Sequence, residues 1–266
     1  MNKIFLGYDQ AALDAQYEQR AWAANAEEVI ARYATASDAA RARLGEPQTR
    51  RYGPSEAETL DIYAPAEARR AFVFVHGGAW RRQLKRESAF AAETIVRARA
   101  SYVALGFALL PAVTLDAMAA QVCRGIEWVH ANLNREILLC GHSSGAHLAA
   151  CALTRLDFVK HAFLVSGVYD LLPVRLSSRN GYVRLDQRLE QEYSPIRHVG
   201  RIRCPVTVAW GARESAEFSR QSREFAAALQ APTLAVAGLN HFEVIEQLAD
   251  AASPLARAAL GPMSLA

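Results

Sequence analysis

Ser143 stands at the centre of Gly141-His142-Ser143-Ser144-Gly145, a Gly-x-Ser-x-Gly pentapeptide. A serine hydroxyl is a poor nucleophile at neutral pH and attacks only with help from a base that a carboxylate holds in place. The pentapeptide follows the apolar run Ile137-Leu138-Leu139-Cys140 and precedes the small-residue run Ala146-His147-Leu148-Ala149-Ala150. That pattern reads as strand, sharp turn and helix, which lifts a serine hydroxyl clear of a strand end. The turn crowds the residues two before and two after the serine, so neither is expected to carry a Cβ.

The base is expected at His241, in Gly238-Leu239-Asn240-His241-Phe242, the only histidine after position 198. Three carboxylates compete to orient it. Glu214 follows the strand pattern over 206–210, Glu217 lies one helical turn further on, and Asp170 follows the pattern over 162–166. Glu217 also reads as a carboxylate favoured by a helix N-terminus. An oxyanion needs backbone N–H groups aimed at the developing charge. Ser144, at the start of a helix, supplies one. Gly77 and Gly78 in His76-Gly77-Gly78-Ala79-Trp80, after the buried run 71–75, are expected to supply the others. His142 and His147 read as packed rather than catalytic. No HExxH or other ligand spacing points to a metal, and no GxGxxG or GxxxxGK points to a nucleotide. The chemistry needs no cofactor.

The elements that must position these residues follow from hydrophobic periodicity. Leu13, Tyr17, Trp22, Val29, Ile30 and Tyr33 recur at helical spacing over 9–44, giving one or two amphipathic helices. Short strands are expected over 49–52 and 59–63 around Gly53-Pro54-Ser55. The apolar run 71–75 suits a strand buried on both faces. Helices over 88–98, 115–132, 144–155, 217–229 and 242–249 then alternate with strands over 102–107, 136–140, 162–166, 206–210 and 233–237. This predicts an α/β fold with a mostly parallel central sheet and helices on both faces. One domain is expected over 1–266, with an N-terminal helical segment over 1–45 and an irregular excursion over 167–200 across the site. Every residue singled out sits just after a strand, where ligands bind in such sheets.

Composition narrows the partners. The 266 residues are 52% hydrophobic and 21% charged, with 30 basic and 27 acidic residues intermixed and a net charge of +3. Arg50-Arg51, Arg69-Arg70 and Arg81-Arg82 are short enough to be solvated loops, so nucleic acid is not an expected partner. Cys123, Cys140, Cys151 and Cys204 lie far apart and read as free thiols, which suits a reducing compartment. The N-terminus shows no sustained apolar h-region, and the longest apolar stretch, 103–113, is too short to span a bilayer. The expectation is a cytoplasmic protein acting on a small molecule, with no membrane partner and with a homodimer left open.

His76-Gly77-Gly78-Ala79-Trp80 together with Gly141 to Ala149 resembles the α/β-hydrolase fold, in its branch related to hormone-sensitive lipase. Further stretches resemble the kynurenine formamidase (arylformamidase) group: Leu60-Asp61-Ile62-Tyr63, Ser166-Gly167-Val168-Tyr169-Asp170-Leu171 and Tyr193-Ser194-Pro195. The most specific is Glu214-Ser215-Ala216-Glu217-Phe218-Ser219-Arg220-Gln221-Ser222, which places the triad acid at Glu214. The resemblance implies a catalytic set of Ser143, Glu214 and His241, with Gly77, Gly78 and Ser144 at the oxyanion. It further implies hydrolysis of N-formylkynurenine or a related N-formyl arylamine to formate and the free amine. A carboxylesterase for small acyl or aryl esters is the alternative, and a non-catalytic hydrolase-fold receptor a third reading that the intact set argues against. Trp80, Phe218 and Tyr17 are candidates for an aromatic substrate wall because they neighbour the catalytic loops in sequence; core packing is the competing reading. The chain departs from the group in Ser144, where Ala is common, and in a basic segment over 81–86.

Overall fold

A computed structural model describes residues 2–264. Its strands are β1 (Gln48–Arg51), β2 (Thr59–Tyr63), β3 (Arg70–Val75), β4 (Ser101–Leu105), β5 (Glu136–His142), β6 (Val159–Val165), β7 (Val206–Gly211) and β8 (Thr233–Val236). The helices are α1 (Gln10–Tyr17), α2 (Ala26–Leu44), α3 (Ala92–Arg97), α4 (Leu115–Leu133), α5 (Ser144–Leu153), α6 (Leu172–Leu176), α7 (Asn180–Val183), α8 (Gln187–Glu192), α9 (Ala216–Leu229), α10 (Glu243–Glu246) and α11 (Pro254–Ser264).

The strands form a single sheet in the order β1-β2-β4-β3-β5-β6-β7-β8. β1 and β2 run antiparallel at one edge, and every pairing from β4 to β8 is parallel. The alternation along β3 explains the continuous apolar run. Ala71, Val73 and Val75 face the core under α1, α4, α5 and α9, while Phe72 and Phe74 face the core under α2, α3, α10 and α11. A strand covered on both sides has no polar face to display. The α/β architecture expected from sequence therefore holds. No helix among the described residues is long and apolar enough to cross a membrane.

Differences from the sequence reading lie in short elements. The stretch expected as one helix over 88–98 is a 3₁₀ turn, Lys85–Ala91, followed by α3. The helix expected over 242–249 is α10 and a further 3₁₀ turn. β6 begins at Val159, ahead of the expected 162; the polar Lys160 and His161 near its start interrupt the apolar pattern. Residues 167–200 contain α6, α7 and α8; of these α8 alone has a side-chain N-cap, Asp186, which accepts the Leu189 N–H at 2.7 Å. α11 is not among the helices expected from sequence, although Leu255, Ala256 and Ala259 recur at helical spacing and are buried, and Pro254 at its first position is compatible with a helix start.

β5 enters the turn that presents Ser143, whose backbone has φ +56° and ψ −125°. Gly145 is required there by close approach. A Cβ on it would overlap the carbonyl oxygens of Val75 and His76 at the end of β3, whereas a Cβ on Gly141 would overlap Gly145 and Ala146 of the turn itself. Gly145→Ala is expected to cost about 3 kcal/mol, seen as a Tm lowered by roughly 6–12 °C. A Tm within about 2 °C of wild type would mean that α5 can shift off the sheet.

Candidate active site

Ser143, His241 and Glu214 arrive from three different strand ends and meet in one line of hydrogen bonds. The Ser143 hydroxyl donates to His241 Nε2 at 2.9 Å, and His241 Nδ1–H donates to Glu214 Oε2 at 3.2 Å. That assignment follows from the carboxylate, which can only accept. The other oxygen, Glu214 Oε1, accepts the Ser166 hydroxyl at 2.5 Å and the Gly211 N–H at 2.7 Å. The carboxylate is fully buried, so these donors hold both its charge and its orientation. Ser166 follows directly on β6 with φ +55°, and the sequence alone assigns it no role.

The rival acids are engaged elsewhere. Glu217 pairs with Arg220 through Oε2 at 2.8 Å and Oε1 at 2.6 Å, and its Oε1 accepts the Tyr17 hydroxyl at 3.2 Å. Asp170 Oδ1 accepts the Leu172 N–H at 3.1 Å and faces Arg197 at 3.5 Å.

Packing fixes the imidazole from its other sides. Phe218 and Phe242 meet the His241 ring edge to face, with centroids 4.9 and 5.2 Å away. His142 Nε2–H donates to the His241 carbonyl at 2.9 Å. Burial, and then the neighbouring His241, holds His142 well below its ordinary value of 6.5.

None of the aromatic wall candidates lines the cavity in front of Ser143. Phe218 is fully buried behind the histidine, and Tyr17 packs edge to face against Phe218 at 5.8 Å. Trp80 is 1% exposed. Its indole N–H donates to His147 Nδ1 at 3.1 Å, and His147 Nε2–H donates on to the Tyr193 carbonyl at 2.8 Å. These placements correct the reading from sequence proximity, which does not reveal which way a side chain points. In their place the cavity is lined by Phe242 and Tyr182, among others.

The Gly-Gly loop lies beside the serine. Gly78 has φ +103°, and a Cβ there would overlap the Arg82 carbonyl, so the loop can close only with glycine at that position. Gly78 and Ala79 line the cavity with Ser143 and His241, whereas Gly77 packs against His142 and Ser143. Ala79, missed in the sequence reading, follows Gly78 with φ +53°. The Ser144 hydroxyl, which had no role in sequence, accepts the Trp80 N–H at 3.0 Å and ties this loop to the start of α5. The cavity measures about 480 Å³, and Glu18, Gln19 and Arg20 of the N-terminal segment form part of its wall.

Such a sheet, with a hydrogen-bonded serine, histidine and carboxylate at its strand ends, defines a hydrolase of the α/β-hydrolase type. A family model described as BD-FAE matches residues 60–160. The chain is 35% identical to kynurenine formamidase of Danio rerio, over 90% of this chain and 91% of that protein. It is 34% identical to kynurenine formamidase of Salmo salar, with the same shares covered. It belongs to the kynurenine formamidase family. In structure it resembles a Silicibacter protein designated a thioesterase, with a TM-score of 0.86 and 26% identity, over 94% of this chain and 98% of that one.

The buried histidines give the fold a pH dependence. Burial pushes His76 and His147 down to about 4, against an ordinary value of 6.5. His147 is surrounded by Trp80, Cys151 and Tyr193, none of them a charge that would favour its protonation. Between pH 6.5 and about 4 the unfolded chain therefore binds more protons than the folded one, and stability falls as pH falls. Each histidine steepens that fall by on the order of 1 kcal/mol per pH unit. Urea midpoints measured from pH 7 downwards should drop through this window, and His147→Gln should flatten the slope. An unchanged slope would show that His147 is already protonated in the folded protein.

Proposed function

We propose that the protein hydrolyses N-formylkynurenine, or a closely related N-formyl arylamine, to formate and the free amine, with Ser143 as nucleophile, His241 as base and Glu214 as its orienting acid. What carries the substrate assignment is the 35% identity to a kynurenine formamidase across 90% of the chain. What supports the roles is the hydrogen-bond line from Ser143 through His241 to Glu214. His241 Nε2 takes the Ser143 proton as Oγ bonds to the formyl carbon. The oxyanion meets the N–H groups of Gly78, Ala79 and Ser144, with Gly77 holding the loop against the serine. His241 then passes its proton to the leaving nitrogen as the C–N bond breaks, leaving formyl-Ser143. Water attacks that ester, His241 takes a proton from it, and formate leaves as Oγ recovers the proton.

The acyl side of a formamide is a single hydrogen, so the cavity is available to the arylamine. Kynurenine as the product amine supports a role in tryptophan breakdown. A cytoplasmic location is supported by the free state of Cys123, Cys140, Cys151 and Cys204.

Formate release from N-formylkynurenine, run beside p-nitrophenyl acetate, tests the assignment. The formamide is expected to have the higher kcat/KM, and Ser143→Ala to abolish labelling by a fluorophosphonate. A negligible kcat/KM for the formamide would leave the esterase reading, which the same residues support. Two glutamate variants test the acid. Glu214→Gln is expected to lower kcat by about 10²–10⁴-fold, through loss of the imidazole's orienting charge. Glu217→Gln breaks a buried ion pair and is expected to cost about 3 kcal/mol of stability while largely sparing kcat. Equal losses of kcat would move the acid away from Glu214.

A further inference from the structure

The basic segment over 81–86 follows directly on the Gly-Gly loop, and its first two residues line the cavity. Four arginines line that space, Arg20, Arg81, Arg82 and Arg179, against two carboxylates, Glu18 and Glu87. Both carboxylates serve backbone amides: Glu18 accepts the Arg20 N–H and Glu87 the Leu84 N–H, each at 3.3 Å. Arg20 is neutralised by Glu27 at 3.1 Å. The other arginines are held without being neutralised. Arg81 lies over the Tyr182 ring at 4.1 Å, and Arg179 lies over the Tyr17 ring at 5.4 Å while donating to the Tyr17 carbonyl. Among the described residues Arg81, Arg82 and Arg179 form no ion pair, and the Arg82 guanidinium makes no hydrogen bond.

Arg81 and Arg82 are exposed, and exposed guanidinium groups would by themselves need no explanation. These face a concave space that also holds Ser143 and His241, where low-dielectric walls concentrate their field. A guanidinium presents paired N–H donors that match a carboxylate. Since a formyl group leaves nothing to bind on the acyl side, what these groups meet is the leaving portion of the substrate. We propose that Arg81 and Arg82, backed by Arg179, form a carboxylate subsite that selects substrates whose leaving amine or alcohol carries an anionic group. The inference rests on the hydrolytic reading above; for N-formylkynurenine the group bound is the carboxylate of its amino-acid tail.

The test compares kcat/KM for N-formyl-L-kynurenine and neutral formanilide in wild type, in Arg81→Ala/Arg82→Ala and in Arg82→Lys. The ratio of the two values is expected to fall about 10- to 100-fold in the double alanine variant, mainly through KM for the carboxylate-bearing substrate. Arg82→Lys is expected to recover part of it. A ratio unchanged in the double variant would overturn the subsite. If neither formamide is turned over, the formamidase reading fails, and the subsite is then judged on 3-acetoxybenzoate against phenyl acetate. The same fall in that ratio upholds the subsite, and its absence overturns it.

Discussion

The site depends first on a backbone conformation that a serine does not adopt freely. At φ +56° Ser143 sits where a residue with a Cβ is strained by about 1–3 kcal/mol. The surroundings leave it no alternative. Its N–H donates to the Val165 carbonyl on β6 at 2.9 Å, and its own carbonyl accepts from Ala146 and His147 at 3.0 and 3.2 Å. Gly145 then lets α5 close onto the end of β3. Strain is tolerated because β5 lies inside the sheet and cannot relax outward.

The second layer of organisation is the Glu214–Ser222 block. Its first residue hydrogen-bonds His241, and the rest of it docks the N-terminal segment. The Ser215 hydroxyl donates to the Gln16 carbonyl at 2.8 Å and accepts from Gln19 Nε2 at 2.9 Å. Gln221 donates to the Asp170 carbonyl at 2.9 Å and accepts the amides of Tyr169 and Asp170 at 2.8 Å. The acid loop, the N-terminal helix and the excursion over 167–200 are thus joined by one short stretch of chain. That is why a segment far from Ser143 in sequence can wall the cavity.

Much of the fold was legible because the sheet interior imposes apolar runs, as in β3 and β5, and because strand-end loops carry polar and glycine residues against that background. The proposed nucleophile and base were legible for the same reason. The short helices between 172 and 192 were not, since each is only a turn or two and is fixed by contacts such as Arg197 with Glu190 and Asn180 with the Leu185 amide at 2.6 Å. The directions of Trp80, Phe218 and Tyr17 were equally hidden. Trp80 follows Ala79 with φ +62°, a backbone state that its residue type gives no reason to expect.

The bond from the Trp80 N–H to the Ser144 hydroxyl carries an evolutionary consequence. The donor is a main-chain amide, which any residue but proline at position 80 retains, so it is a change at Ser144 that would leave a buried polar group unpaired. A relative with alanine at the position of Ser144 must offer the loop amide another acceptor, whether a rebuilt loop or an internal water. Position 144 and the loop after Gly78 are therefore expected to vary as a unit across the family, and an alanine at position 144 would mark a differently tethered loop rather than a neutral exchange.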